Sequence, residues 1–144
     1  MLRETLGTAE LDAIVARLRC AEDDEVRAWS LRTLGGIGPL AASQSAAVAA
    51  SLAEEGTRAL TPPTRGLAVA ALAAFGQPSV GAHLAAIGAL LADEEACVRA
   101  AAIEALGQVG DAGSHAEAVS ELLYDSDRSV RSAAAVALKR WGVA

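Results

Sequence analysis

The sequence predicts an all-α fold, a stacked array of four two-helix units, and three observations carry the prediction. Val26-Arg27, Val98-Arg99 and Val130-Arg131 each open an alanine-rich stretch, and Thr64-Arg65 opens a degraded fourth copy. Fixed offsets from the Val/Thr position then recur. Leucine stands at offset 8 (Leu34, Leu72, Leu106, Leu138), a large apolar residue at 11 (Ile37, Phe75, Val109, Trp141) and glycine at 12 (Gly38, Gly76, Gly110, Gly142). The glycines step by 38, 34 and 32 residues. Self-similarity at such a period marks a repeat array in which each unit buries its apolar face on its neighbours. One repeat domain over 1–144 follows, with units at about 8–38, 39–76, 77–110 and 111–142.

Each unit reads as an A helix followed by a B helix, eight helices in all, and no strand-like alternation competes. The first A helix spans about 8–20, with Leu11, Ile14, Val15 and Leu18 at helical spacing and Thr8 as its N-cap. Asp23 caps the first B helix, about 24–35. The second A helix, about 40–55, has few anchors: Leu40, Val48 and Leu52. Pro62-Pro63 heads the second B helix, about 62–75, where a missing N–H costs least. Val80, Leu84, Ile87, Leu90 and Leu91 define the third A helix, about 79–92, and its B helix covers about 95–107. Ser114 caps the fourth A helix, about 114–124, which carries Val119, Leu122 and Leu123; the last B helix runs about 127–141.

On the B helices, at about 100° per residue, offsets 0, 3, 4, 7, 8 and 11 fall on one broad face. In the third unit these are Val98, Ala101, Ala102, Ala105, Leu106 and Val109. Small residues at offsets 4 and 7 mark the closest approach of a neighbouring helix. Glycine at offset 12 ends the helix in the left-handed conformation.

Composition narrows the function classes. The chain has 144 residues, 53% hydrophobic but only 3% aromatic, so its core is built from alanine, leucine and valine. A net charge of −6 argues against nucleic-acid binding, which needs clustered Lys/Arg to displace counterions. Cys20 and Cys97 stand at different repeat positions and read as free, semi-buried thiols in a reducing compartment. No signal peptide precedes residue 25, and apolar stretches such as 82–92 are too short and interrupted for membrane insertion. An intracellular, soluble protein is the expectation.

The strings Leu91-Ala-Asp93-Glu-Glu95-Ala-Cys-Val98-Arg99-Ala-Ala101-Ala102-Ile-Glu-Ala105-Leu106 and Leu123-Tyr-Asp125-Ser-Asp127-Arg-Ser-Val130-Arg131-Ser-Ala-Ala134-Ala-Val-Ala137-Leu138 resemble the HEAT-like repeat, in the short form of phycobilisome-lyase-type proteins. The resemblance covers nearly the whole chain. It implies a right-handed α-solenoid of four HEAT-like hairpins, with A helices convex and B helices lining the concave face. It also implies a ladder between units, in which Arg27, Arg65, Arg99 and Arg131 meet Asp23, Asp93, Glu95, Asp125 and Asp127. Unit two departs from the pattern, with Ala59 and Thr61 where acids belong, which leaves the partner of Arg65 open; unit one has Ala21 at the first acidic position, consistent with a shorter turn.

No catalytic constellation emerges. His83 and His115 share one repeat position, but adjacent helices lie about 8–10 Å apart, too wide for two ligands on one metal unless the side chains converge. The HEAT family includes a di-iron hydroxylase built on His-Glu pairs; here the following residues are Leu84 and Ala116, so the histidines read as surface or capping groups. Gly35-Gly36-Ile37-Gly38 follows a helix instead of a strand and makes no phosphate cradle. The acidic runs Glu22-Asp23-Asp24-Glu25, Glu54-Glu55 and Asp93-Glu94-Glu95 sit where carboxylates favour helix N-termini. No cofactor or metal is implied.

Offsets 2, 5, 6 and 9 point away from the core face, and they are unusually apolar. Offset 5 reads Leu31, Val69, Ile103, Ala135; offset 6 reads Arg32, Ala70, Glu104, Val136; offset 9 reads Gly35, Ala73, Gly107, Lys139. Either this is a concave binding surface for a protein partner, around Leu31, Arg32, Val69, Ile103, Glu104 and Val136, or lateral packing between B helices hides it. A non-catalytic interaction scaffold is therefore expected. An accessory subunit of a bilin lyase is the alternative that the resemblance implies. Lys139-Arg140-Trp141-Gly142 closes the last unit with no polar capping helix, which suggests a homodimer or a larger assembly.

Overall fold

The computed structural model describes residues 7–20, 23–53, 60–108 and 115–142, and every described element is helical. Unit one pairs α1 (Thr8–Cys20) with α2 (Asp24–Ile37). Unit two begins with a 3-10 stretch (Gly38–Gln44) that leads into α3 (Ser45–Leu52), paired with α4 (Pro62–Phe75). Unit three runs α5 (Gln77–Ala82), α6 (Leu84–Ala89), a 3-10 turn and α7 (Ala96–Leu106). Unit four runs α8 (Ala116–Glu121), a 3-10 turn and α9 (Arg128–Arg140). The B helices α2, α4, α7 and α9 stack side by side, each against the next, and each packs against the A helix of its own unit. This is an α-solenoid of helical hairpins.

The leucines at offset 8 form the spine: Leu34, Leu72, Leu106 and Leu138 are all buried, in one continuous core with Val48, Val80, Ile87, Val119 and Val130. Burying a leucine contributes about 1.5–3 kcal/mol relative to exposure, so four in register define the stacking axis. Small residues set the helix spacing. Gly35 of α2 lies against Ala71 of α4, and Gly107 lies against Ala137 of α9.

Repeat glycines end the B helices as a group. Gly38, Gly76 and Gly142 have φ of 75°, 108° and 75°. At Gly38 and Gly76, ψ is −140° and 173°, which places them in extended, glycine-only backbone, not in the left-handed helical conformation expected from the sequence. The chain must turn sharply there, because the next A helix starts at once. Gly110 and Ser114 lie outside the described residues.

Other boundaries differ for identifiable reasons. Thr8 is the first residue of α1, not its cap; Glu10 instead accepts from the Gly7 N–H (2.9 Å). The second A helix opens as 3-10 from Gly38, with proline at its start and few anchoring side chains. The third A helix is broken at His83 (φ −121°, ψ 29°), which ends α5 and starts α6. Cys97 is exposed, not semi-buried. No helix among the described residues is long and apolar enough to cross a membrane.

Candidate functional site

Two sets of side chains on the B helices stand out: the charges that tie units together, and the strip that the stacking leaves open.

The charges follow from offsets. Arg65 (offset 1) reaches Asp93 in the next unit through Nε (2.9 Å) and one terminal nitrogen (3.0 Å), while the other donates to Leu60 O (2.7 Å). Arg99 repeats this on Asp125 (2.9 and 3.0 Å) and on Asp93 O (2.7 Å). Each aspartate also accepts the backbone N–H two residues on, at Glu95 and Asp127, and so shapes its own turn. A planar fork matched to a planar carboxylate is the strongest common ion-pair geometry. The Arg99 guanidinium, first by its hydrogen bonds and then by its charge, holds the Asp125 carboxyl below the ordinary value of 3.8, and Arg99 is raised in turn.

At the ends the pattern changes. Arg27 is buried and reaches Asp24 of its own unit (3.2 Å). Arg131 is exposed and donates to Asp125 O (2.7 Å). The acids at offset −3 stand at the N-cap position: Asp23 and Asp127 accept from the backbone N–H two residues on, whereas Glu95 makes no cap bond. Asp24 is the group that sequence reasoning missed. It accepts from the hydroxyls of Thr61 (2.8 Å) and Thr64 (2.6 Å) in the next unit. Burial pushes the Asp24 carboxyl upward, but the bonds from Thr64, Thr61 and the Thr61 N–H outweigh it and leave it below 3.8. The signal was threonine at Thr61 and Thr64, where other units have acid and valine. Ala21 and Ala59 lie outside the described residues.

The histidines serve packing. His83 Nε2 stands 3.3 Å from Ser45 Oγ of the preceding unit. The His115 ring packs onto Gly88, where an added Cβ would make the ring shift. Among the described residues no three His, Cys, Asp or Glu side chains cluster as metal ligands.

The open strip is narrower than expected, and its position corrects the sequence reading. Leu31, Val69 and Ile103 are fully buried (1%, 0% and 0% exposed) and form no part of an open strip. The reason is geometric. Offset 5 falls at about 140°, next to offset 1, on the flank that meets the following B helix; stacked helices are covered on both flanks, not on one. Offset 9 is partly covered, through the Gly35–Ala71 and Gly107–Ala137 contacts, with Gly107 buried and Gly35 and Ala73 half-buried. Offset 6 stays open throughout: Arg32, Ala70, Glu104 and Val136 are exposed. Offset 3, expected in the core, borders the same strip, with Leu67, Ala101 and Ala133 half-buried and Trp29 exposed. Arg17 covers the Trp29 ring at 5.3 Å from its centroid, a cation–π pair. At the far end an open groove of about 800 Å³ runs between α7 and α9, past Glu104, Val136 and Arg140.

The flank of α9 that no described unit covers is polar. Where other units bury leucine, valine or isoleucine it has Ala135, and Arg131, Ser132 and Lys139 stand around it. Such side chains stay solvated without a neighbour.

Known proteins agree with this architecture. The crystal structure of an engineered protein superposes with a TM-score of 0.72 at 21% identity, over 92% of this chain, which spans 62% of that one. No curated protein matches. Residues 52–139 match the family described as HEAT repeats. Those residues hold α4, α7 and both arginine forks, the part of the chain where helix, spine and ladder recur most regularly, and the protein belongs to the HEAT repeat family.

Proposed function

We propose that this protein is a non-catalytic interaction scaffold that holds a partner polypeptide along the open strip of its B helices. One observation carries the reading. Stacking leaves the other faces of α4 and α7 buried or half-buried, yet offset 6 is exposed in all four units and offset 3 stays at least partly accessible, with apolar side chains at Trp29, Leu67, Ala70 and Val136. A continuous, partly apolar strip on a rigid array suits an extended or helical segment.

The test is capture of a stoichiometric protein partner from the native source by the wild-type chain, followed by Ala70→Glu and Val136→Asp. Both sites are exposed, so far-UV circular dichroism should be unchanged while capture drops about tenfold or more. Undiminished capture by both variants overturns the proposal. The bilin-lyase accessory role implied by the resemblance would need cationic groups for a tetrapyrrole's propionates. Arg65 and Arg99 are each engaged by a carboxylate and a backbone carbonyl, so these two ladder arginines are not free for that role.

A further inference from the structure

The charge on this molecule is unevenly placed. The chain carries −6 overall, yet α9 has four basic residues, Arg128, Arg131, Lys139 and Arg140, and no acid. Two of these rim the groove between α7 and α9. Unlike Arg65 and Arg99, neither Arg128 nor Arg140 is held by a hydrogen bond or ion pair among the described residues. The floor between them is apolar and recessed: Ile103, Gly107 and Ala137 are buried, and Val136, 55% exposed, rises from it. Glu104 on α7 is the one acid in the groove lining.

We propose that this groove docks an acidic, apolar-centred helical segment of a partner protein, with Arg128 and Arg140 gripping carboxylates at its two ends and Val136 packed against its apolar side chains. The proposal rests on the scaffold reading and names the chemistry of the partner. Spacing supports a helix. Arg128 and Arg140 are twelve residues apart on one helix, about 18 Å at 1.5 Å per residue, so a partner helix of about three turns places one acid against each. An unengaged guanidinium suits a carboxylate bidentately. Glu104 repels an acid placed mid-segment and so sets the register. The recessed floor disfavours a flat lipid surface, whose headgroups would meet the rim without reaching Ile103 and Ala137. The net negative charge disfavours nucleic acid.

The probe is a fluorescein-labelled amphipathic peptide of about 14 residues, with glutamates at both ends and leucines at i, i+3, i+4 and i+7, read by fluorescence anisotropy against the full chain. Its counterpart has lysines at both ends. The acidic peptide should bind at least about tenfold more tightly, and added salt should weaken it. R128E and R140E should each weaken it about tenfold, and Glu104→Gln should not weaken it; all three residues are exposed and leave the fold intact. Equal binding of the two peptides, insensitivity to R128E and R140E, or preference for phosphatidylserine vesicles over the peptide overturns the proposal. A captured native partner that survives the R128E/R140E double variant but is lost with Ala70→Glu overturns the groove assignment and leaves the scaffold reading standing.

Discussion

Between units two and three, and again between three and four, an arginine fork closes on a carboxylate: Arg65 on Asp93, Arg99 on Asp125. Between units one and two the described contacts run the other way. There Asp24 belongs to the earlier unit and accepts from two neutral hydroxyls, Thr61 and Thr64, in the later one. The apolar stacking hardly differs: Leu34, Leu72 and Leu106 are equally buried, and Gly35 meets Ala71 as Gly107 meets Ala137. One stacking geometry thus carries carboxylate–hydroxyl bonds at one junction and arginine forks at the two others. The core sets how the units stack, and these polar contacts set how firmly each junction is held. In an array, stability is approximately a sum of such nearest-neighbour terms, so the two kinds of junction can be perturbed separately.

Acid should produce the largest effect, because it removes charge at both kinds of junction. Asp24, Asp125 and Asp127 titrate below their ordinary value in the folded chain. A depressed folded pKa means that the unfolded state binds protons first as pH falls. The stability these groups contribute is fully present above the unfolded value of about 3.9 and is lost as pH falls through the folded values. Urea midpoints should therefore stay flat with respect to these groups from neutrality down to about pH 5 and decline below about pH 4. A flat profile down to pH 2 would mean that these carboxylates hold nothing together.

Asp125→Ala breaks the ladder at one junction alone. It removes both acceptors of the Arg99 fork and the bond to the Asp127 N–H, leaving a guanidinium only 14% exposed without its counter-charge. We expect a loss of about 2–4 kcal/mol, and Asp125→Asn should cost less because the turn survives. Amide exchange should quicken in α8 and α9 before α1 and α2, as local opening starts at the weakened junction. Uniform quickening would show the array to be a single cooperative unit.

How much of this was legible follows from which periodicities a single chain displays. The offset-8 leucines, the repeat glycines and Pro62-Pro63 obey local rules, and the helix limits drawn from them agree closely with α1, α4 and α7. The split at His83 was not legible, since its neighbours Val80, Leu84 and Ile87 keep helical spacing across the break. The fate of offset 5 was not legible either. A helical wheel has one core face, but a B helix in a stack has two covered flanks. Leu31, Val69 and Ile103 therefore look outward in sequence and lie inward in the fold. Arg32, Glu104 and Val136 differ from them by only one offset, about 100° of rotation, which is enough to leave them exposed.

Thr64→Val should have the smallest effect, and it sharpens the comparison most. Valine stands at this offset in the other three units, so the substitution gives unit two the apolar residue its neighbours already have. Thr64 is buried and its hydroxyl donates to Asp24 at 2.6 Å. Removing it deletes one bond to a charged acceptor, an interaction worth about 1.5–3 kcal/mol at most. Asp24 keeps the Thr61 hydroxyl, the Thr61 N–H and Arg27, and the added methyl is buried. The gain from that methyl, about 0.8 kcal/mol, offsets part of the loss, and a net cost of about 1 kcal/mol is expected in urea denaturation. If Thr64→Val is neutral or stabilising, the hydroxyl bond is a by-product of how the first junction packs. If it costs as much as Asp125→Ala, two threonines on one aspartate hold a junction as firmly as an arginine fork, and the contrast between the two halves of the array lies in chemistry alone.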